Sequence, residues 1–281
     1  VAETHHVGGV TLSVGVVTDV GMKRKLNEDG YLAEPPVYVV ADGMGGYESG
    51  DRASAAVVSA FQSTLAGHDI ATLDLVSDAL ERADELVEAV AAQTTRGSGS
   101  TVAGAAIVDV DGAPHWLVFN VGDSRVYRNI GSSLQQLTVD HSLGQELFAA
   151  GQITAEQLAS FPDRNVITRA IGAPESAADS WITPVVNGER LLICSDGLTS
   201  EVADETIRAS LTMGGVPSSV AWGLVDLAKR AGGRDNITVI VVDVISGGGD
   251  VVHESSTGSI LSAGPLEAAS DDETTIPVRQ R

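Results

Sequence analysis

The sequence predicts an α+β fold of two packed, mainly antiparallel sheets with helix pairs on both outer faces. Three observations carry that expectation. Apolar strand-type runs recur along the chain and are separated by Gly or Asp-Gly turns, as antiparallel hairpins require. Long amphipathic helical stretches come in pairs, one pair before the central strands and one after them. Strand blocks bracketed by such pairs argue for stacked sheets covered by helices, against a wheel of parallel βαβ units.

Residues 1–10 carry no strand period and are expected to form a flexible N-terminus, His5 and His6 included. Residues 11–18 alternate as a strand, and Lys23-Arg24-Lys25 with Asn27-Glu28-Asp29 then occupy a loop before a strand at 37–41. After Gly45-Gly46 an Ala-rich helix is predicted over about 50–65 and a second over about 70–93. In the second, Leu73, Val76, Leu80, Ala83, Leu86, Val87 and Val90 recur at helical spacing and make one apolar face.

Gly97 to Gly99 closes that pair, and strands follow near 100–109, 115–121, 124–128 and 134–138. Short helical pieces near 142–150 and 154–160 fall in a more polar insert that reaches about Asp179. Strands near 180–186 and 189–195, helices near 203–212 and 217–231, and a strand over 237–244 complete a domain spanning 11–245. From Ser246 the composition turns to Gly, Ser, Thr and acids, so 246–281 reads as an acidic tail expected not to pack. No internal repeat is present.

Composition narrows the function. The 281 residues are 43% hydrophobic, enough for a substantial core. A net charge of -21, with only 17 Lys and Arg, argues against nucleic acid as the main ligand, because phosphate backbones are bound by cations. The single cysteine, Cys194, forbids an internal disulfide framework and suits a reducing cytoplasm. No apolar run approaches the roughly 18 residues that span a bilayer. The basic end Pro277-Val278-Arg279-Gln280-Arg281 after an acidic tail also matches the flank of a membrane anchor lying beyond it.

Acidic residues recur at the ends of the apolar runs. Val37 to Ala41 leads into Asp42-Gly43, Leu191 to Ser195 into Asp196-Gly197, and Asp235-Asn236 opens Ile237 to Val244. Strand interiors are buried, so these carboxylates fall where loops expose function. With Asn27-Glu28-Asp29 and Gly122-Asp123-Ser124 they describe a cup of like charges that needs divalent cations among them. Taken singly, each Asp would be an ordinary turn residue. Asp123 has a bland reading of its own, a pair with Arg125 that shapes a hairpin.

Oxygen donors suit Mg²⁺ or Mn²⁺ better than zinc, and there is no His-Glu-x-x-His and no Cys pair. Two such ions about 3.5 to 4 Å apart would make hydroxide available near neutral pH, a route to phosphate ester hydrolysis. Arg24, in the run of three consecutive basic residues, has a planar fork able to take two phosphate oxygens. Competing chemistries lack their residues. A cysteine phosphatase needs Arg six positions after its nucleophile, where Ser200 stands after Cys194. No Gly precedes any of the three Lys as a Walker loop demands, and no Gly-x-Ser-x-Gly elbow occurs. Cys194 is read as a buried strand residue.

Asp42-Gly43-Met44-Gly45-Gly46, Gly122-Asp123-Ser124-Arg125, Ser195-Asp196-Gly197-Leu198 and Arg234-Asp235-Asn236-Ile237-Thr238 follow Arg24 and Asn27-Glu28-Asp29 in this order. This series resembles the PPM family, the metal-dependent type 2C Ser/Thr protein phosphatases, over residues 11–245. The likeness is nearest to bacterial, especially actinobacterial, members that oppose eukaryote-like Ser/Thr kinases. The resemblance implies a four-layer α-β-β-α sandwich with Mn²⁺ or Mg²⁺ at one end of the sheets, two core ions and a third, weaker one. Asp29, Asp196 and Asp235 would hold one ion, directly or through water; Asp42 would bridge two, with the Gly43 carbonyl on the second. Glu28 would act through a water on the metal, Asp123 with Asp196 would bind the third ion, and Arg24 would orient the phosphoryl group. The insert over 142–179 would be the mobile flap beside the site.

Eukaryotic relatives carry His where this chain has Met44, and that His is their favoured proton donor; bacterial members commonly carry Met. Two candidates for the acid remain, a water on the metal and His141, which precedes Ser142 at a helix start. The implied activity is hydrolysis of phosphoserine and phosphothreonine in proteins, cognate kinases among the substrates, by a cytoplasmic monomer. Narrower alternatives are a dedicated phosphatase of one anti-sigma antagonist and a phosphoprotein-binding pseudophosphatase. In the tail, Asp271-Asp272-Glu273-Thr274-Thr275 with Val278 resembles acidic phosphothreonine sites read by forkhead-associated domains, against the plain reading of a solvated acidic segment.

Overall fold

Hairpins, helix pairs and a central run of strands follow one another in a computed structural model that describes residues 2–45, 49–95, 97–163, 166–250 and 261–263. The first hairpin is β1 (Glu3–Val7) with β2 (Val10–Asp19), and the second is β3 (Asp29–Glu34) with β4 (Val37–Gly45). Helices α1 (Gly50–Leu65) and α2 (Leu73–Ala91) come next. They lead into β5 (Ser98–Ser100), β6 (Val102–Val110), β7 (Ala113–Val121), β8 (Arg125–Ile130) and β9 (Ser133–Gln136). The insert carries α3 (Leu143–Ala149) and α4 (Ala155–Ala159). Then follow β10 (Asp179–Pro184), β11 (Arg190–Cys194), the one-turn α5 (Asp196–Thr199), α6 (Asp204–Thr212), α7 (Pro217–Ala231), β12 (Ile237–Ser246) and β13 (Leu261–Ala263).

One sheet has the order β1-β2-β12-β11-β8-β9, and the other runs β13-β10-β7-β6-β4-β3 with β5 paired to β4. Strand pairing is antiparallel throughout. Both faces of the central strands are covered. In β11, Leu191 and Ile193 enter the cluster between the sheets, while Leu192 and Cys194 join the cluster under α6 and α7. In β4, Tyr38 and Val40 face the other sheet, and Val37, Val39 and Ala41 pack with Val57 and Phe61 of α1. A strand buried on both sides reads as a continuous apolar run, which is how both appear in the sequence.

The N-termini of α2, α3 and α4 are set by short polar side chains. Thr72 accepts the Leu75 N–H at 3.1 Å, and Thr154 with Gln157 forms a reciprocal cap on α4. The expected helix pairs and central strands are present, with ends differing by a few residues. Residues 3–7, expected to be flexible, instead form β1 on the edge of the sheet, because Gly8 and Gly9 take positive φ (55° and 77°) and close a tight hairpin. His5 donates or accepts at 2.9 Å with the Tyr38 hydroxyl and stacks on that ring. Strand β3 also arises where a loop was expected. Leu261–Ala263, in the tail expected not to pack, pairs with β10. Thr275 lies outside the described residues. Among the described residues no helix is long and apolar enough to cross a membrane.

Across the two sheets runs a buried ionic clamp. Glu189, 1% exposed, accepts from Trp116 Nε1 and the Val186 N–H, both at 2.8 Å, and pairs with Arg128 Nε. Arg128 reaches on to the Thr183 hydroxyl (2.9 Å) and the Pro184 carbonyl (3.1 Å) of the opposite sheet. Truncation would strand a buried guanidinium, so Glu189→Ala is expected to lower unfolding free energy by about 3 kcal/mol in denaturant titration. A loss under about 1 kcal/mol would show that the clamp contributes little.

Candidate metal centre

Strand register brings the acidic turns to one end of the sandwich. Asp29 stands directly opposite Asp42 at the open end of the β3–β4 hairpin. The next strand ends to arrive are those of β7, followed by Gly122-Asp123, and β11, followed by Ser195 and Asp196 at the first turn of α5. Asp235 and Asn236 immediately precede β12, whose first residue pairs with Asp19 of β2. Gly43 is required there by close approach: a Cβ at this position would fall 1.9 Å from the Gly50 carbonyl oxygen and 2.7 Å from that of Glu28.

A pocket of about 210 Å³ lies among these turns, lined by Glu28, Asp42, Asp123, Asp196 and Asp235 together with Arg24, Gly43 and Met44. Asp29, the cross-strand partner of Asp42, does not line it. A larger cavity of about 360 Å³ adjoins on the insert side and shares Asp123 and Asp196. Arg24 is half-exposed at the pocket and donates through Nη2 to Asp235 at 2.7 Å, which raises its pKa further.

Electrostatics dominate the pocket. Desolvation, followed by the charges of Asp29, Asp196, Asp123 and Asp235, drives the Asp42 carboxyl well above the ordinary carboxylate range. Burial pushes Asp29 up to about 7 against the hydrogen bonds from Thr238 and Ser195. Burial with the charges of Asp196 and Asp140 takes Asp123 to about 8, and burial with Asp235 takes Asp196 to about 6. Desolvation also raises Glu28.

Among the described residues, two buried carboxylate oxygens, Asp29 Oδ1 and Asp123 Oδ1, find no hydrogen-bond partner. Orphaned anionic oxygens in an all-oxygen donor set fit a hard divalent cation. Among the described residues no group of three or more His, Cys, Asp or Glu side chains already stands arranged to hold an ion, so the carboxylates share a pocket without forming a closed cage. Met44 lines the pocket, and its thioether is a poor ligand for hard ions.

Buried polar groups hold the acids in place, and these were not singled out from the sequence. Ser195 Oγ donates to Asp29 Oδ2 (2.9 Å) and accepts the Thr238 N–H (3.0 Å). Thr101 Oγ1 accepts the Asp42 N–H at 3.0 Å and pairs with Ser124 Oγ at 2.8 Å. Asn236 accepts the Glu28 N–H (2.8 Å) and donates to the Val20 and Leu26 carbonyls (3.0 and 2.9 Å), fixing the loop that carries Arg24. For Ser195, Ser124 and Asn236 the available signal was a small hydroxyl or amide residue beside an acidic turn; Thr101 offered none.

The structure departs from two sequence readings, His141 as an acid and Asp123 paired with Arg125, and bears out a third, Cys194 as a buried strand residue. His141 is not in the pocket: it is buried, its Nδ1 accepts the Gly122 N–H at 3.1 Å, and its Nε2 faces Asp179 at 3.3 Å. With both ring nitrogens engaged away from the carboxylates, it is not placed to protonate a leaving group. Arg125 does not pair with Asp123; it grips Asp140 through Nε and Nη2 (2.9 and 2.7 Å). Cys194 is a fully buried strand residue whose thiol burial pushes up to about 12, which suppresses the thiolate.

Residues 26–216 match the family model described as Protein phosphatase 2C. Serine/threonine protein phosphatase PstP of Mycobacterium tuberculosis is 34% identical over 261 residues, 92% of this chain and 49% of the relative. Protein phosphatase PhpP of Streptococcus pneumoniae is 33% identical over 245 residues, 83% of this chain and 98% of the relative. The chain therefore spans about half the length of PstP and nearly all of PhpP. The crystal structure of the PstP catalytic domain in complex with two manganese ions superposes with a TM-score of 0.73 at 30% identity, covering 84% of this chain and 99% of that one.

Asp29, Asp42, Asp123 and Asp196 each hold a proton more tightly folded than unfolded. Their contribution to metal-free stability therefore falls as pH rises from about 4, the unfolded pKa, through the folded values of about 6 to 8. A cation that neutralises the cluster removes this penalty and competes with protons. The rise in melting temperature on adding Mn²⁺ is expected to be small at pH 5 and large at pH 8; a gain independent of pH would contradict binding at these carboxylates.

Proposed function

We propose, on the premise that this chain belongs to the protein phosphatase 2C family, that it hydrolyses phosphoserine and phosphothreonine in proteins with Mn²⁺ or Mg²⁺. The observation that carries the reading is the convergence of five carboxylates and one arginine on a single pocket. Bound divalent ions would polarise water for attack on phosphorus and neutralise charge on the phosphoryl oxygens. Asp29, Asp42, Asp196 and Asp235 with the Gly43 carbonyl are the proposed ligands of two ions. Asp123 with Asp196 is the proposed site of a third, and the unpartnered Asp123 Oδ1 supports it. Glu28 acts through ordered water at the pocket wall.

Arg24 orients the phosphoryl group. Asp235 anchors one nitrogen of its fork, which aims the guanidinium at the pocket while its other N–H groups serve phosphate oxygens. With His141 held in its own network, the proton for the leaving hydroxyl comes from water in the pocket. The full set of acids argues against a protein that only binds phosphoproteins. Substrates are proteins marked by Ser/Thr kinases, the kinases themselves included, and the setting is cytoplasmic signal transduction. A single buried cysteine suits that compartment.

Hydrolysis of p-nitrophenyl phosphate and of a phosphothreonine peptide should require Mn²⁺ or Mg²⁺ and stop with chelator. Asp42→Asn should lower kcat about a thousandfold or more, since it removes roughly 4 kcal/mol of metal-borne stabilisation. Arg24→Ala should raise KM for the peptide more than it lowers kcat. Turnover that persists without divalent metal would overturn the reading.

A further inference from the structure

His141 does not line the metal pocket, yet it stands between the turn that carries Asp123 and the root of the 142–179 insert. On one side it clasps Gly122 twice: Nδ1 accepts the Gly122 N–H at 3.1 Å, and the His141 N–H donates to the Gly122 carbonyl at 2.9 Å. Gly122 has φ +103°, and a Cβ there would lie 2.6 Å from the Thr101 side chain, so this turn has a single geometry to hold. The next residue is Asp123, 7% exposed, with Oδ1 unpartnered.

On the other side the ring meets the insert. An Nδ1 that accepts leaves the proton on Nε2, which donates to Asp179 Oδ2 at 3.3 Å, and Asp179 Oδ1 in turn accepts from Arg169 Nη1 at 3.1 Å. A segment inside the insert is stitched to its start at the same place. The Thr168 N–H donates to the His141 carbonyl at 2.9 Å, and the Leu143 N–H to that of Val166 at 2.8 Å. Ile167, between those two partners, lines the metal pocket itself.

We propose that His141 is a positioning residue that couples the root of the insert to Asp123, its Nδ1 face fixing the Gly122-Asp123 peptide and its Nε2 face holding Asp179 and Arg169. The inference rests on the reading of Asp123 as a metal ligand. Partners one step behind a ligand orient it and set its affinity, and their loss costs about 10- to 100-fold in metal binding. The residue thereby links where the insert sits to how well the Asp123 carboxylate is presented.

Amide exchange and calorimetric Mn²⁺ titration of the full chain test this. An Asn side chain places its oxygen near the position of Nδ1, whereas Gln reaches the position of Nε2, so the two substitutions separate the two faces. His141→Gln should weaken binding of the third Mn²⁺ at least about tenfold, as Asp123→Ala should, while His141→Asn should keep wild-type affinity. In the wild type, Mn²⁺ should slow exchange at the amides of 122–124 and of 166–169 together; in His141→Asn the second group should lose that protection. Wild-type titration by His141→Gln beside a weakened Asp123→Ala would overturn the coupling alone, as would equal weakening by Asn and Gln. An unchanged Asp123→Ala would remove the metal role of Asp123 and the coupling with it. Should His141→Gln fail to fold, the wild-type exchange decides: protection confined to 122–124 would overturn the proposal.

Discussion

Repulsion among carboxylates drawn to one end of a sandwich is the constraint on which this structure depends. Asp42 feels Asp29, Asp196, Asp123 and Asp235 at once, and desolvation magnifies each contribution. A fold selected for stability alone has no use for such a cluster, because each member would fold at lower cost as Asn or Ser. The strain is tolerated because the surroundings are over-determined. Two apolar sheets fix where the strands end, and Ser195, Thr101 and Asn236 fix how the terminal residues turn.

That division of labour explains a lining of polar groups buried behind the pocket. Ser195 satisfies Asp29 Oδ2 and leaves Oδ1 unpartnered. Asn236 ties Val20, Leu26 and Glu28 to the residue beside Asp235, which holds the loop carrying Arg24 against that turn. Arg125, by contrast, spends its fork on Asp140 and serves the hairpin beside the site. Of these two arginines, Arg24 stands at the pocket and Arg125 in the wall of the adjoining cavity.

Much of the fold was legible because burial on both faces leaves a mark that survives without context. The β4 and β11 runs are continuous in apolar residues, and the α2 face repeats at helical spacing. Strand β1 was not legible: Glu3, Thr4 and His6 are exposed on an edge and give no alternation. Strand β3 hides because its first residue belongs to an acidic motif and Leu32 is its one buried side chain. In the site, the acidic turns could be read because Asp-Gly at the end of an apolar run is a local pattern. His141 could not be read, since the direction of a ring beside a helix start depends on Gly122 and Asp179, far away in the chain. Thr101 is equally silent, having no acidic turn beside it in sequence, whereas Ser195 and Asn236 adjoin Asp196 and Asp235.

Anomalous diffraction at the manganese edge, from crystals of this chain grown with Mn²⁺, tests the central claim most directly. Two strong peaks are predicted inside the pocket, bridged by Asp42 and reached by Asp29, Asp196, Asp235 and the Gly43 carbonyl. A pocket without anomalous density, or peaks held by other residues, would contradict the account.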